Sequence, residues 1–170
     1  MRKIAKFEIV SIEQFSVAWQ SVFNVCDTNY IKAIYEDIKL PARATAGSAG
    51  YDFYSPVEFT IAPKSTVTIP TGIRVKMEEG WVLQCYPRSG LGFKYRLQLD
   101  NTVGIIDGDY YNSDNEGHIL IKLTNDSRDK KSVVLERGAA FAQGIFLEYG
   151  ITYDDDVTQT RNGGFGSTDK

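Results

Sequence analysis

The chain is expected to be all-β, of sandwich or jelly-roll type, with one short amphipathic helix near its start and a Gly-rich tail at its end. Two observations carry this expectation. Beyond residue 50, short runs of β-branched and aromatic residues are punctuated by Gly, Pro, Asn and Asp, the pattern of strands joined by turns. Over the same stretch hardly any segment keeps an apolar spacing of three and four, so helices are not expected to cover a parallel sheet.

Taken in order, Lys3–Val10 reads as a strand with Ile4, Phe7 and Ile9 as its apolar members. Ser11 and Gln14 then fit a capping box, serine at the cap and glutamine three residues on. Ile12, Phe15, Trp19, Val22 and Phe23 recur at helical spacing, which predicts a helix over 12–23 that covers a sheet edge or the mouth of the core. Tyr30–Leu40 holds β-formers broken by charges and is stopped by Pro41. Strands are predicted at Tyr51–Ser55, Val57–Ile61, Thr66–Ile69, Ile73–Met77, Trp81–Tyr86 and Leu97–Leu99. They continue at Val103–Ile106, His118–Thr124, Ser132–Leu135 and Ala140–Glu148. The apolar run at 119–123 predicts a strand buried on both faces. After Tyr149 the apolar pattern is lost, through Asp154-Asp155-Asp156 to a Gly-rich end in which Phe165 stands alone. These divisions make one domain: an extension over 1–40, a β core over 41–149 and a tail over 150–170.

Composition narrows the function. Hydrophobic residues at 42% and charged residues at 24% suit a globular domain with a real core. A net charge of −3 argues against a nucleic-acid binder, so any anionic ligand needs a local cluster or a metal. No run is long enough to span a bilayer, and a cytoplasmic location is expected. Cys26 and Cys85 have no His or Cys neighbours at metal spacing, which disfavours a zinc site or a disulfide framework. The one histidine, His118, restricts triad chemistry.

Four polar clusters interrupt the strands: 46–52 (AGSAGYD), 87–92 (PRSGLG), 101–110 (NTVGIIDGDY) and 161–168 (RNGGFGST). In the third, Asp107-Gly108 between β-formers reads as a tight hairpin turn, and alone it would be an ordinary surface turn. Arg88-Ser89-Gly90 and the tail combine glycines, hydroxyls and a forked permanent charge, which suits phosphate binding without a Walker loop. An aromatic-base nucleotide with several phosphates fits this set, with Asp52, Asp107 or Asp109 able to hold a hard cation through water.

With 140–143 (AFAQ), these clusters resemble the five ordered motifs of the homotrimeric dUTP diphosphatases, over roughly Pro41 to Asp169. The resemblance implies the dUTPase jelly roll and hydrolysis of dUTP to dUMP and diphosphate with Mg2+. It implies Asp107 as the residue that deprotonates the attacking water. Asn101 and the backbone at Gly104 and Ile106 would read uracil, and the Tyr110 ring would pack under the deoxyribose. Arg88, Ser89, Gly90 and Gln143 would bind phosphate oxygens, and Asp52 would lie near Arg88 or the metal's waters. Arg161, Gly166, Ser167 and Thr168 would close on the phosphates, and Phe165 would stack on the base. It further implies a homotrimer with sites shared between subunits, since the tail from Gly150 to Phe165 reaches about 50 Å when extended. Neither nucleic acid nor membrane is an expected partner, and no protein partner is indicated.

Departures from the family pattern are Ala140 in place of an arginine, Asp169 in place of a glycine, and a longer link at 111–116, read as an extended hairpin loop. A dCTP deaminase of the same fold is the nearest alternative, but Lys122 stands where those enzymes carry a glutamate. A nucleotide-gated signalling module is the other.

Overall fold

The structure, a computed structural model, describes residues 2–159 and 161. It starts with strand β1 (Ala5–Ile9), helix α1 (Ile12–Phe23) and helix α2 (Thr28–Glu36). Next come β2 (Ala42–Arg43), β3 (Tyr51–Tyr54), β4 (Phe59–Ile61), β5 (Thr66–Pro70), β6 (Ile73–Met77) and β7 (Trp81–Pro87). A short helix α3 (Ser89–Tyr95) precedes β8 (Leu97–Leu99) and β9 (Gly104–Ile106). A 3₁₀ turn (Gly108–Asn112), β10 (Leu120–Asn125), β11 (Val133–Leu135) and β12 (Ala140–Glu148) complete the chain.

All pairings are antiparallel. The largest sheet runs β2-β3-β12-β7-β9; a second runs β5-β10-β8, and β1-β6 and β11-β4 are paired ribbons. The inner faces close on one core that includes Phe53, Leu83, Phe141, Ile121 and Leu123. Gly144 sits mid-strand because a Cβ there would lie 2.8 Å from Leu83 Cδ1 and 3.1 Å from Phe53 Cε2, a clash in a close-packed interior. Among the described residues no helix is long and apolar enough to cross a membrane.

The predicted helix over 12–23 is α1, and it faces inward: Phe15, Ala18 and Trp19 are buried. Ser11 caps it, with the Gln14 N–H donating to Ser11 Oγ at 3.1 Å. The reciprocal partner of the Ser11 N–H is Glu116 Oε2, at 2.8 Å, from far along the chain. The segment 30–40, expected to be extended, is mostly α2. Asp27 caps that helix by accepting from the Asn29 and Tyr30 N–H groups at 3.0 and 3.1 Å. Ile31 and Ile34 are buried, and Tyr35 and Ile38 pack against the same core. That three-and-four spacing outweighs the β preference of the residue types. With α3, the β domain thus carries three α-helices among the described residues rather than one.

Three strand expectations also change in detail. β10 starts at Leu120 and alternates, with Ile121, Leu123 and Asn125 buried and Lys122 exposed. Its long apolar run reflects a central place between β5 and β8, not burial on both faces. The turn between β8 and β9 falls at Asn101-Thr102, where Thr102 has φ 65° and Leu99 bridges Thr102. Asp107 has φ −75° and opens the 3₁₀ turn, so Asp107-Gly108 is no hairpin tip. Residues 111–116 likewise finish that turn and fold back on Tyr110, instead of extending a hairpin.

His118 is fully buried, beside Phe15. Its Nε2 accepts from the Gly72 N–H at 2.8 Å, so the neutral ring carries its proton on Nδ1. Burial pushes the imidazole down to about 4, against an opposing pull from Glu116. Between pH 6.5 and 4 the unfolded chain therefore takes up a proton that the native chain does not, and stability falls as pH drops. Urea unfolding across that window is expected to lose about 3 kcal/mol at this site. His118→Gln, which keeps an acceptor for Gly72, should flatten that slope; an unchanged slope in the variant would assign it elsewhere.

Candidate active site

The predicted site residues fall into two groups on this chain. The first lies where β9 leaves the sheet. Asn101, Gly104 and Ile106 line a cavity of about 200 Å³ with Cys85, Leu99 and Ile121. Gly104 is required by close approach: a Cβ there would lie 3.2 Å from Cys85 Cβ and 3.5 Å from Leu99 Cδ2. Burial pushes the Cys85 thiol up to about 12, so it is an inert wall and not a nucleophile.

Directly after β9, Asp107 stands at the start of the 3₁₀ turn with its side chain 46% exposed. Arg161 Nη2 donates to Asp107 Oδ2 at 2.5 Å, and Arg161 Nε lies 3.2 Å from Asp109 Oδ1. The guanidinium carbon is 5.8 Å from the centre of the Tyr110 ring. Asp109 thus shares a cation with Asp107. These three charged groups line a cavity of about 730 Å³ together with Trp81, Gln84 and Tyr149.

Tyr110 is buried and its hydroxyl is held on both sides. It donates to the His118 carbonyl at 2.9 Å and accepts from Asn115 Nδ2 at 2.7 Å. Burial raises its pKa, opposed by Asn115 and Arg161. Its oxygen is thus committed inward. Asn115 and His118 were not among the predicted site residues. Their signal was the Asn-x-Gly at 115–117, which reads as a turn but does not say which ring it holds.

The second group lies where β7 ends. Arg88 Nε is 3.3 Å from Asp52 Oδ1, a partly buried carboxylate on β3. Gln143 is opposite Asp52 in the sheet and donates from Nε2 to the Pro87 carbonyl at 3.3 Å. Gly50 leaves room for it, since a Cβ there would be 2.5 Å from Gln143 Oε1. Ser89 and Gly90 open α3. Arg88, Ser89, Lys94, Arg96 and Arg128 line a cavity of about 590 Å³, a concentration of positive charge in a chain of net −3.

The sheet keeps the two groups apart. Ile106 pairs with Leu83, which sets Asp107 beside Val82, whereas Arg88 follows the other end of β7. From Val82 to Arg88 at about 3.3 Å per residue is roughly 20 Å. No described cavity contains members of both groups. Phe165, Gly166, Ser167, Thr168 and Asp169 lie outside the described residues, so the predicted lid contacts there are not seen. Among the described residues no three His, Cys, Asp or Glu side chains gather in a metal cluster. Lys122, at the place of the deaminase glutamate, is paired with Asp100 at 2.8 Å.

Comparison with known proteins identifies the family. The dUTPase family model matches residues 36–169. The deoxyuridine 5'-triphosphate nucleotidohydrolase of Lactococcus lactis subsp. lactis is 42% identical over 135 residues, covering 77% of this chain and 88% of its own. That of Dictyoglomus turgidum is 37% identical over 147 residues, covering 81% and 95%. The crystal structure of dUTPase from Streptococcus mutans superposes with a TM-score of 0.62 at 35% identity, over 86% of this chain and 97% of that one. A mutant dUTPase from phage phi11 of S. aureus, which coordinates a structural Mg(II) ion, has a TM-score of 0.64 over 92% and 98%. At 18% identity that last likeness speaks for the fold alone.

The walls of the smaller cavity give a direct test. Cys26 is exposed and Cys85 buried, so a thiol reagent should label native protein once, at Cys26. A Cys26→Ser protein should stay unlabelled until denaturant is added. Prompt labelling of native Cys26→Ser would mean that the cavity beside Gly104 opens freely to solvent.

Proposed function

The chain belongs to the dUTPase family, and from that premise we propose that it is a dUTP diphosphatase whose active sites are each assembled from several copies of the chain. The observation that carries the assembly is the strand β7. Its pairing with β9 sets the carboxylate expected to act on water beside one end of β7, and the arginine expected to hold phosphate follows the other end, about 20 Å away. A triphosphate cannot touch both on one chain. In a symmetric homotrimer the Asp107 end of one copy faces the Arg88 end of the next, as closed oligomers allow.

In this reading Asn101 and the main chain at Gly104 and Ile106 bind uracil in the cavity against Cys85. Main-chain donors and acceptors are fixed in kind, which suits discrimination of one base from another. The Tyr110 ring, held by Asn115 and His118, packs under the deoxyribose and leaves no space for a 2′-hydroxyl. Arg88, Ser89, Gly90 and Gln143 take phosphate oxygens. Asp107 accepts a proton from water while the water oxygen bonds to the α-phosphorus. The bond from that phosphorus to the bridging oxygen breaks, and diphosphate leaves with the electron pair.

Arg161 pairs with Asp107 and Asp109. A triphosphate offers it a more highly charged partner, which frees Asp107 for water. Phe165, Gly166, Ser167 and Thr168, outside the described residues, would close over the base and phosphates. Asp52, beside Arg88, fits Mg2+ carried in on the triphosphate, because magnesium keeps waters and takes few protein ligands. Asp52 would hold it through water, and when bound it would neutralise charge on the phosphates.

Two measurements test the reading. Asp107→Asn should lower kcat for dUTP by about 10²–10⁴-fold with nucleotide binding retained; unchanged turnover would remove Asp107 as the base. Asp107→Asn and Arg88→Ala proteins, each impaired alone, should regain activity when mixed and allowed to exchange subunits. Mixtures with no regain, or a protein that sediments as an active monomer, would overturn the shared site.

A further inference from the structure

The segment that carries Asp107 and Tyr110 is braced by residues in front of the stretch that the family model matches, which starts at residue 36. The sheet holds this segment only as far as Ile106, the last residue of β9 to pair with β7. Beyond it, in addition to the Tyr110 hydroxyl on the His118 carbonyl, the 3₁₀ turn and the link after it are fastened to the N-terminal extension at two points. Tyr111 donates from its hydroxyl to Glu8 Oε2, on β1, at 2.6 Å. Arg74, on β6, lies 4.5 Å from the Tyr111 ring centre and 3.2 Å from the same Glu8 oxygen. Glu8 is held at about 2, chiefly by the Tyr111 hydroxyl and then by Lys6.

The second point is Glu116. Its two oxygens accept from the N–H and the Oγ–H of Ser11, the cap of α1, at 2.8 and 2.5 Å. Burial pushes the Glu116 carboxyl up, but these two hydrogen bonds outweigh it and hold the carboxyl below its ordinary value. The neighbouring Gly117 transmits the brace to Tyr110 by direct contact. It has φ +71°, and a Cβ there would lie 2.7 Å from Tyr111 Cα and 2.8 Å from the Tyr110 carbonyl oxygen.

We propose that Glu8 and Ser11 of the N-terminal extension are positioning residues for dUTP hydrolysis, acting through Tyr111 and Glu116 to fix the turn that carries Asp107 and Tyr110. The inference rests on the roles given above to those two residues. It assigns work to the two features that sequence left without any: the extension before residue 36 and the lengthened link after Tyr110. A general base must sit within a fraction of an ångström of its place relative to the water it activates. Asp107 has no sheet partner of its own, so its carboxylate is only as well placed as the turn behind it.

The test uses the full-length enzyme with Tyr111→Phe and Glu116→Ala, singly and together. Tyr111→Phe removes one hydroxyl and keeps the ring under Arg74, so it decides the question even if Glu116→Ala fails to fold. For correctly folded variants kcat should fall about ten- to a hundred-fold, the cost of a misplaced reacting group. KM should move by no more than about twofold, since uniform binding is untouched. Glu116→Gln, which keeps one acceptor for Ser11, should recover part of the loss. Ile61→Val, a core change far from the turn, serves as a destabilised comparator and should keep its kcat. In an Asp107→Asn background the two substitutions should cause no further loss, because they act through that carboxylate. Full turnover per folded molecule in Tyr111→Phe, beside an inactive Asp107→Asn, would overturn this inference alone. Undiminished loss in the Asp107→Asn background would also overturn it. Wild-type turnover in Asp107→Asn would overturn the base assignment and this inference with it.

Discussion

The three-residue ladder between β9 and β7, Gly104 to Ile106 against Leu83 to Cys85, is the constraint on which the rest of the site depends. It fixes the wall of the small cavity, because Gly104 meets Cys85 closely enough that a Cβ there would be crowded. It then stops, one residue before Asp107. From Asp107 to Glu116 side chains tie the chain to its surroundings: the Tyr110 hydroxyl on the His118 carbonyl, Asn115 on Tyr110, Tyr111 on Glu8 and Glu116 on Ser11. A ladder determines position through hydrogen bonds that any residue type can make. A brace of side chains does so only with particular residues, so this is where substitutions should separate geometry from folding.

The same register determines how charge is distributed. Beside one end of β7 lie Asp107 and Asp109 around Arg161, and the far end gathers Arg88, Lys94, Arg96 and Arg128 with one carboxylate, Asp129. Neither end alone offers both a base and a phosphate cradle. Copies arranged so that unlike ends meet would complete each site and bring complementary charge together, which favours correct register over wrong pairings. In such an arrangement the separation of about 20 Å along one strand would be what makes one copy depend on the next.

How much of this was legible in the sequence depended on range. Short alternating strands were readable because a period of two is a local property, and β6, β8 and β12 fall where their residues predict. The helix α2 was misread because Tyr and Ile favour strands by type, while only their spacing, with Asp27 as cap, reveals the helix. Asp107-Gly108 looked like a hairpin tip on composition, yet the positive φ fell at Thr102 instead, a residue that rarely takes it. Of the site, the residue types could be read and their grouping could not. That Asp52 meets Arg88, and that Asp107 does not, follows from which strands pair and in what register. The partnership of Ser11 with Glu116 was beyond reach for the same reason. Local spacing pointed to Gln14, and the carboxylate that took its place arrives through the fold.

That exchange has a consequence for how stability and geometry are linked. A serine cap is worth about 1 kcal/mol to a helix, and hydrogen bonds to a charged group contribute about 1.5–3 kcal/mol each. Ser11 takes part in both kinds, the first through the Gln14 N–H and the second through Glu116, so the start of α1 and the residue that closes the turn behind Tyr110 meet at one side chain. α1 in turn buries Phe15 and Trp19 against the sheets, and Phe15 lies beside His118, whose carbonyl receives the Tyr110 hydroxyl. The contacts form a closed circuit through the extension, the core and the segment after β9. Within such a circuit no member can loosen without shifting the others, which is how a segment that has left its sheet stays in place.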